Sequence, residues 1–247
     1  MEKEIKKLRE LIKKSGRILV FTGAGISTGS GIPDFRGPDG AWTKREPVLF
    51  REFLDSEEKR KEYWQYKAET FEAFKAARPN DAHKALVRLE KLGKLEAVVT
   101  QNIDNLHRAA GTSNAKLIEL HGTGMCAECV VCFDWTAMAA AVARFQAGGK
   151  PPKCACGGNL KPAVVMFGES LPRAELALAF KAAKNCDLVI SVGSTLSVEP
   201  AASVPLSAQA AGKPYAVINI GPTAHDRAAV IKIAADAVKI LPELMEG

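Results

Sequence analysis

Short apolar runs that predict buried strands alternate with helical stretches along most of this chain. The predicted strands lie at 17–22, 95–100, 116–120, 187–192 and 215–220. The predicted helices lie between them, at 2–14, 57–76, about 80–92, 104–110, 172–184 and 200–211, and a further one ends the chain. Strands that alternate with helices form parallel sheets with right-handed crossovers. The sequence therefore predicts an α/β fold built on a parallel sheet.

Two segments interrupt this alternation. Residues 34–78 begin with an irregular stretch, 38–56, before their predicted helix. Residues 123–160 hold five of the six cysteines and an Ala-rich helix at about 136–145. We expect these two segments, the cofactor loop with a helical insertion and a metal module, to pack together as a small domain. The sheet domain would then comprise 1–33, 79–122 and 161–247.

The composition is that of a globular enzyme with a basic surface. The 247 residues are 47% hydrophobic and 25% charged, and the formal net charge is +6. A solvated basic surface explains this charge, and attraction to nucleic acid or an anionic cofactor is the alternative. No Lys/Arg block or other motif indicates a nucleic-acid arm. No apolar run predicts a membrane span, and the charged N-terminal helix lacks the apolar core of a signal peptide, so we expect a cytoplasmic location.

A glycine-rich loop follows the first predicted strand. Gly23 and Gly25 fit the first two positions of a dinucleotide-binding turn, but Thr28 stands where the third glycine belongs. A tight strand-to-helix turn without a ligand explains the same pattern. The adjoining Asp34-Phe35-Arg36 favours a ligand, because charges flanking an aromatic residue suit a flap in which Arg36 meets phosphate and Phe35 shields a reactive carbon.

Polar residues also follow the next two strands. Gln101-Asn102-Ile103-Asp104 comes directly after the strand 95–100, at the end where α/β sheets bind ligands. These side chains suit an amide and ribose hydroxyls, although a capped helix start would use the same residue types. His121 ends the strand 116–120 and could act as a general base near neutral pH, or could be structural.

The cysteine-rich segment predicts a metal site. In a reducing compartment, clustered cysteines indicate a metal rather than disulfides, and four thiolates suit a tetrahedral structural Zn²⁺. Free buried thiols are the alternative. On spacing alone, five cysteines compete for four places: Cys126, Cys129, Cys132, Cys154 and Cys156.

Taken together and in this order, the motifs resemble those of the sirtuin family of NAD-dependent protein deacylases. The matching stretches are GAGIS with GIPDFRG, TQNIDNLH, ELHG, the paired cysteines, KPAVVMFGE, GSTLSVEP and VINIGPT, which together span residues 23–223. The resemblance implies a Rossmann-like doubly wound parallel sheet. It also implies a smaller domain made of a zinc-binding module and a helical insertion.

The resemblance also implies a role for each matching residue. His121 would be the catalytic base, with Asn102 and Asp104 as further catalytic residues. NAD would be bound by Gly23, Ala24, Gly25, Ser27, Asp34, Phe35, Arg36, Trp42, Gln101, Asn102, Ile103, Asp104, Gly193, Ser194, Thr195 and Asn219. The acyl-lysine channel would be bordered by Val165, Phe167, Gly168 and Val198. One structural Zn²⁺ would be held by Cys129, Cys132, Cys154 and Cys156, of which Cys154 departs from the commoner C-x-x-C spacing.

The reaction that the resemblance implies is the removal of an acyl group from lysine in a protein or peptide. The acyl oxygen attacks the ribose carbon that carries nicotinamide, and His121 then deprotonates a ribose hydroxyl. Nicotinamide, free lysine and O-acyl-ADP-ribose are released. The peptide would add as a strand near residues 165–169. Relatives that prefer acidic acyl groups carry a Tyr-x-x-Arg pair, whereas this helix reads Tyr63-Trp-Gln-Tyr66-Lys, so uncharged acyl groups are favoured over succinyl.

Two other classes of function compete with the deacylase. The same NAD site could support mono-ADP-ribosyl transfer to protein. A non-catalytic NAD-sensing or zinc interaction module is the third class. The presence of His121, Asn102 and Asp104 together argues against a module without chemistry.

Overall fold

A computed structural model describes residues 1–34 and 46–245 of the chain. The described strands are β1 (Ile18–Thr22), β2 (Leu95–Thr100), β3 (Leu117–Glu119), β4 (Gly122–Cys129), β5 (Trp135–Ala137), β6 (Leu160–Val164), β7 (Leu188–Val192), β8 (Tyr215–Ile218) and β9 (Ile231–Ile233). The described helices are α1 (Glu2–Lys14), α2 (Phe50–Asp55), α3 (Glu57–Ala76), α4 (Asp81–Lys91), α5 (Leu106–Ala110), α6 (Met138–Gly148), α7 (Arg173–Asn185), α8 (Ser203–Ala210) and α9 (Ala237–Leu244).

The large sheet has six parallel strands in the order β3-β2-β1-β7-β8-β9. The chain runs outward from β1 to β3 on one side and from β7 to β9 on the other. The strand order therefore reverses between β1 and β7, which is the doubly wound, Rossmann-like arrangement. The predicted fold class is confirmed.

Helices cover both faces of this sheet. Its central strands carry apolar side chains on both faces, and these must be shielded from water. All five residues of β1 are buried. Ile18 and Val20 pack into one hydrophobic cluster with α1, α4 and α9, while Leu19 and Phe21 pack into a second with α7 and α8. Alternate side chains of a strand point to opposite faces, so a continuous apolar run is what a doubly covered strand requires.

A second sheet is small and antiparallel, in the order β5-β4-β6. A third hydrophobic cluster joins it to the helical insertion. Trp64 of α3 is fully buried there and donates a hydrogen bond from Nε1 to the Leu160 carbonyl oxygen, at 3.1 Å. Phe53 and Phe145 belong to the same cluster. The two interrupting segments therefore do pack against each other, while the boundaries 34–78 and 123–160 stay a prediction.

Several elements differ from the sequence expectations. The stretch predicted to be irregular contains α2, so that prediction is wrong for its last part. Helix α2 is held by two contacts: the Phe50 N–H donates to the Phe167 carbonyl at 2.9 Å, and the Leu49 N–H donates to the Glu52 carboxylate at 2.9 Å. The three-residue strand β9 has no separate signal in the sequence. The helix predicted from residue 200 begins only at Ser203.

None of the described helices combines the length and the apolar character that crossing a bilayer would need.

Candidate active site

A cavity of about 820 Å³ lies where the carboxyl ends of the parallel strands face the small domain. Loops after β1, β2, β3, β7 and β8 form one wall, and α3 with the segment after β6 forms the other. Most of the predicted site residues line it: Gly23, Ala24, Gly25, Asp34, Gln101, Asn102, Ile103, His121, Val165, Phe167, Gly168, Gly193, Ser194, Thr195, Val198 and Asn219. The sheet topology thus brings together residues that are far apart in sequence.

Two of the predicted NAD-site residues that the structure describes do not line the cavity. Ser27 and Asp104, for which direct contact with the ligand was expected, are buried behind its wall. Phe35, Arg36 and Trp42 lie outside the described residues. The predicted flap, residues 29–37, is described only as far as Asp34.

Two glycine turns meet backbone to backbone at the point where the strand order reverses. The Gly25 N–H donates to the Gly193 carbonyl at 2.8 Å, and the Gly23 N–H donates to the Val192 carbonyl at 3.0 Å. A Cβ on Gly25 would lie 2.7 Å from the Gly193 Cα. A Cβ on Gly193, whose φ is +60°, would lie 2.4 Å from the Ile26 nitrogen. The packing of the two turns against each other thus requires glycine at both positions, whether or not a phosphate group also approaches the backbone.

Asn102 is held in one orientation by the loop behind it. Its Nδ2 donates to the Gly23 carbonyl at 3.1 Å and to Ser27 Oγ at 3.2 Å. A backbone carbonyl can only accept, so the NH₂ group must face the loop. The side-chain oxygen Oδ1 is therefore the atom that Asn102 can offer to a ligand, as a hydrogen-bond acceptor.

Asp104 supports this arrangement from the interior. Its Oδ2 accepts a 2.6 Å hydrogen bond from Ser27 Oγ, and its Oδ1 accepts from the Leu106 N–H at 2.9 Å, where α5 begins. Burial raises the pKa of Asp104, and these two hydrogen bonds oppose that shift. Asp104 is thus connected to Asn102 through the hydroxyl of Ser27.

His121 has the geometry of a general base. Its Nδ1 lies 3.0 Å from the Gln101 carbonyl oxygen, which can only accept. The neutral ring must then carry its hydrogen on Nδ1 and keep the lone pair on Nε2. Burial lowers the pKa of His121, and the bond to Gln101 opposes that shift. The ring is therefore neutral near pH 7, as proton abstraction requires.

The segment predicted to border the acyl-lysine channel is fixed by contacts from both sides. The Val165 N–H donates to the His121 carbonyl at 3.0 Å, and the Met166 N–H donates to Glu169 Oε2 at 3.0 Å. The buried ammonium of Lys161 binds Glu169 at 3.2 Å. Two of the backbone donors of this segment are thus engaged within the chain, so a peptide strand would have to use other groups.

Helix α3 contributes side chains that the sequence interpretation did not assign to the site. Tyr63, Tyr66 and Lys67 line the cavity. The Lys67 ammonium lies 5.8 Å from the ring centroid of Tyr63 and 6.0 Å from that of Phe74. Burial lowers the pKa of Lys67 to about 8. The Tyr-Trp-Gln-Tyr-Lys stretch was the available signal, but only the docking of α3 places its lysine in the cavity.

The cysteine module forms a compact set of four sulfur atoms. The Sγ atoms of Cys129, Cys132, Cys154 and Cys156 all lie within 4.8 Å of one another. Three of the pairs are separated by 3.4, 3.5 and 3.6 Å. Tetrahedral Zn–S bonds of about 2.3 Å place sulfurs roughly 3.8 Å apart, so the set fits one structural zinc ion. Cys126 lies outside this set, which is the one that the resemblance implied.

Comparisons with known proteins agree with this geometry. A family model described as the Sir2 family matches residues 23–200. NAD-dependent protein deacetylase 1 of Bradyrhizobium diazoefficiens is 42% identical over 237 residues, which cover 94% of this chain and 91% of that protein. A Sir2 structure with a p53 peptide and NAD⁺ has a TM-score of 0.89 at 35% identity, covering 98% and 97% of the two chains.

A second solved structure contains reaction products. It is a Sir2 protein with a deacetylated p53 peptide and 3'-O-acetyl ADP ribose, and it matches with a TM-score of 0.91 at 35% identity. That match covers 98% of this chain and 97% of the other. The family model spans well over half of the chain, and the relatives match it almost from end to end. The chain belongs to the Sir2 family, the sirtuins.

Proposed function

We propose that this chain is an NAD-dependent protein-lysine deacylase with deacetylation as its main reaction. NAD and water would be the co-substrates, with water taking the place of the lysine nitrogen on the acyl carbon, and the products would be nicotinamide, free lysine and O-acyl-ADP-ribose. One observation carries the proposal: a neutral His121 and an Asn102 of fixed orientation lie on the wall of the same cavity. The related Sir2 structures that contain NAD⁺, peptide and acetyl ADP ribose support it.

The residues would divide the work as follows. The Gly23–Gly25 turn would let the backbone approach the pyrophosphate, and residues 193–195 with Asn219 would hold the adenosine half. Asn102 Oδ1 would accept a hydrogen bond from a ribose hydroxyl and face the positive charge that develops as nicotinamide leaves. His121 Nε2 would then take a proton from a ribose hydroxyl.

The acyl-lysine would enter along the segment after β6, beside Val165, Phe167, Gly168 and Val198. The zinc set does not line the cavity, and four thiolates leave no open metal position. Zinc would therefore stabilise the small domain without taking part in the chemistry. The proposal includes a cytoplasmic location, because the four thiols must stay reduced to bind metal.

Incubation with NAD labelled in the adenine ring and an acetyl-lysine peptide tests the reaction class. A deacylase converts the label into O-acetyl-ADP-ribose in step with peptide deacetylation. Mono-ADP-ribosyl transfer is the alternative function of the same NAD site. Label retained on protein, without deacetylation, would establish that alternative.

Lys67 affects which class of acyl group the cavity could accept. No arginine follows Tyr63 at the spacing of the relatives that prefer acidic acyl groups, which favours acetyl. The cation in the cavity nevertheless supplies a partner for a carboxylate, so succinyl is a second candidate. Rates on acetyl and succinyl peptides should be compared for the wild type and Lys67→Met. Loss of succinyl activity alone would assign Lys67 to acidic acyl groups, and equal rates on the acetyl peptide would show that it is dispensable there.

A further inference from the structure

The start of helix α4 is hydrogen bonded to the glycine-rich loop by residues that do not line the cavity: Asn80, Ile26 and Ser30. Asn80 caps the helix with Oδ1, which accepts from the N–H groups of Ala82 at 3.0 Å and His83 at 3.4 Å. The Nδ2 of Asn80 donates to the Ile26 carbonyl at 2.8 Å and to Ser30 Oγ at 2.9 Å. Helix α4 is thus tied to the turns that follow Gly23–Gly25.

His83 extends this connection toward the site. The ring is fully buried, and burial lowers its pKa to about 4, so it is neutral and carries a single N–H. Its Nδ1 lies 3.4 Å from the Asn80 backbone N–H and 3.1 Å from Asn80 Oδ1. Its Nε2 lies 3.5 Å from Ser27 Oγ, a long hydrogen bond.

The neighbours decide which ring nitrogen carries the hydrogen. With hydrogen on Nε2, Nδ1 accepts from the Asn80 N–H and Nε2 donates to Ser27 Oγ. With hydrogen on Nδ1, the ring would compete for Asn80 Oδ1, which already accepts from two backbone N–H groups. The Nε2 lone pair would then face Ser27, whose only hydrogen is committed to Asp104 at 2.6 Å. The Nε2–H tautomer is the one that gives both ring nitrogens and the Asn80 N–H a partner, at the expense of placing the two acceptors Nδ1 and Asn80 Oδ1 3.1 Å apart.

That tautomer completes the hydrogen bonding of Ser27. A hydroxyl has one hydrogen and two lone pairs. Ser27 donates to Asp104 and accepts from Asn102 Nδ2 at 3.2 Å, and His83 supplies the second hydrogen that it can accept. A hydroxyl with three fixed partners cannot rotate without losing one of them.

We propose that His83 is a positioning residue, which fixes Ser27 through an Nε2–H donor and so keeps the carbonyl oxygen of Asn102 turned toward the cavity. The inference rests on the proposed deacylase function, because it assigns Asn102 a part in that reaction. His83 does not line the cavity and acts through two intervening side chains, Ser27 and Asn102.

Three substitutions of His83 separate positioning from helix capping. At the third helical position, both Gln and Glu accept from the capping residue's N–H, but only Gln can also donate to Ser27. We expect His83→Gln to keep kcat within about twofold of the wild type. His83→Glu and the uncharged His83→Met should each lower kcat about tenfold, the effect of losing roughly one hydrogen bond, with the KM of the acyl peptide unchanged.

The rates are compared at a temperature where thermal melting shows every variant folded. Lys84→Gln, on the exposed face of the same helix, is the matched control and should behave as the wild type. A His83→Gln variant as slow as His83→Met would overturn the proposal. So would a His83→Met variant as fast as the wild type.

Ring ¹⁵N chemical shifts of His83 in the ligand-free protein test the hydrogen bond without any activity. Hydrogen on Nε2 supports the proposal, and hydrogen on Nδ1 refutes it. Should the wild type deacylate no peptide, the proposed function fails, and this measurement still decides whether His83 donates to Ser27.

Discussion

The Nδ1 of His121 lies 3.0 Å from the carbonyl oxygen of Gln101, and this contact sets the tautomer of the ring. Gln101 follows β2 and His121 follows β3, so the pairing of these two strands positions the base. The geometry of the base therefore depends on the sheet rather than on a flexible loop.

Replacement of His121 by alanine should abolish deacylation while sparing the first chemical step. Loss of a general base costs typically 10²–10⁴-fold in rate. Nicotinamide leaves before His121 acts in the proposed reaction, so nicotinamide exchange into NAD should persist. Exchange and deacetylation are measured on the same preparation, with circular dichroism as the check on folding. Deacetylation at the wild-type rate would remove His121 from the reaction.

The stability of the protein should fall between pH 6.5 and pH 5. Burial lowers the pKa of His83 to about 4 and that of His107 to about 3, whereas both titrate near 6.5 when unfolded. The unfolded state binds more protons in this window, so each histidine lowers the free energy of unfolding by up to about 1.4 kcal/mol per pH unit. Urea unfolding at pH 7, 6 and 5 measures the slope.

His107→Gln should reduce the slope of the unfolding free energy against pH by the contribution of one histidine, up to about 1.4 kcal/mol per pH unit. His107 Nε2 bonds Thr22 Oγ1 at 2.9 Å, a contact that the Gln amide can imitate. A slope equal to that of the wild type would mean that His107 is not the titrating group.

Cys129→Ala should release the metal and destabilise the small domain. Structural zinc contributes its binding free energy to folding, and Cys129 is the fully buried member of the set. We expect one zinc per chain in the wild type by elemental analysis. Cys126→Ser is the control, since Cys126 lies on β4 outside the four-sulfur set and should keep the zinc. Full stability of Cys129→Ala without metal would contradict a structural role.

Gly193→Ala should cost more stability than Gly212→Ala. Both glycines have positive φ, +60° and +78°, so both substitutions pay the left-handed backbone strain of about 1–2 kcal/mol. Only at Gly193 does the added Cβ collide with backbone, at 2.4 Å from the Ile26 nitrogen, and such crowding costs typically about 1–3 kcal/mol more. Thermal and urea unfolding give the difference, and equal losses would show that the two turns can separate freely.

The position of the strand-end residues of the site could be predicted because each strand can be recognised from its own short apolar run. Gly23, Gln101, His121 and Gly193 each follow a predicted buried strand, whereas Asn219 lies inside the predicted strand 215–220 and follows the strand only in the structure, where β8 ends at Ile218. The carboxyl ends of parallel strands share one edge, so the approach of these residues follows once the strands are recognised.

The wall from the small domain could not be predicted in the same way. Lys67 reaches the cavity only because Trp64, on the same helix, docks against Leu160. That contact joins residues almost a hundred positions apart and has no local signature. The depth of Ser27 and Asp104 was missed for a similar reason, since spacing shows which residues meet but not which of them face the ligand.

The backbone contact between Gly25 and Gly193 leaves no room for a side chain on either side. A larger residue fits at neither position, so the ligand preference of the cavity cannot be changed by substituting these two glycines. Changes of ligand preference would have to use other positions of the cavity, such as Tyr63, Tyr66 and Lys67 on the opposite wall. The junction of the two turns is thus the part of the site that tolerates the least change, whereas the helix that faces it tolerates more.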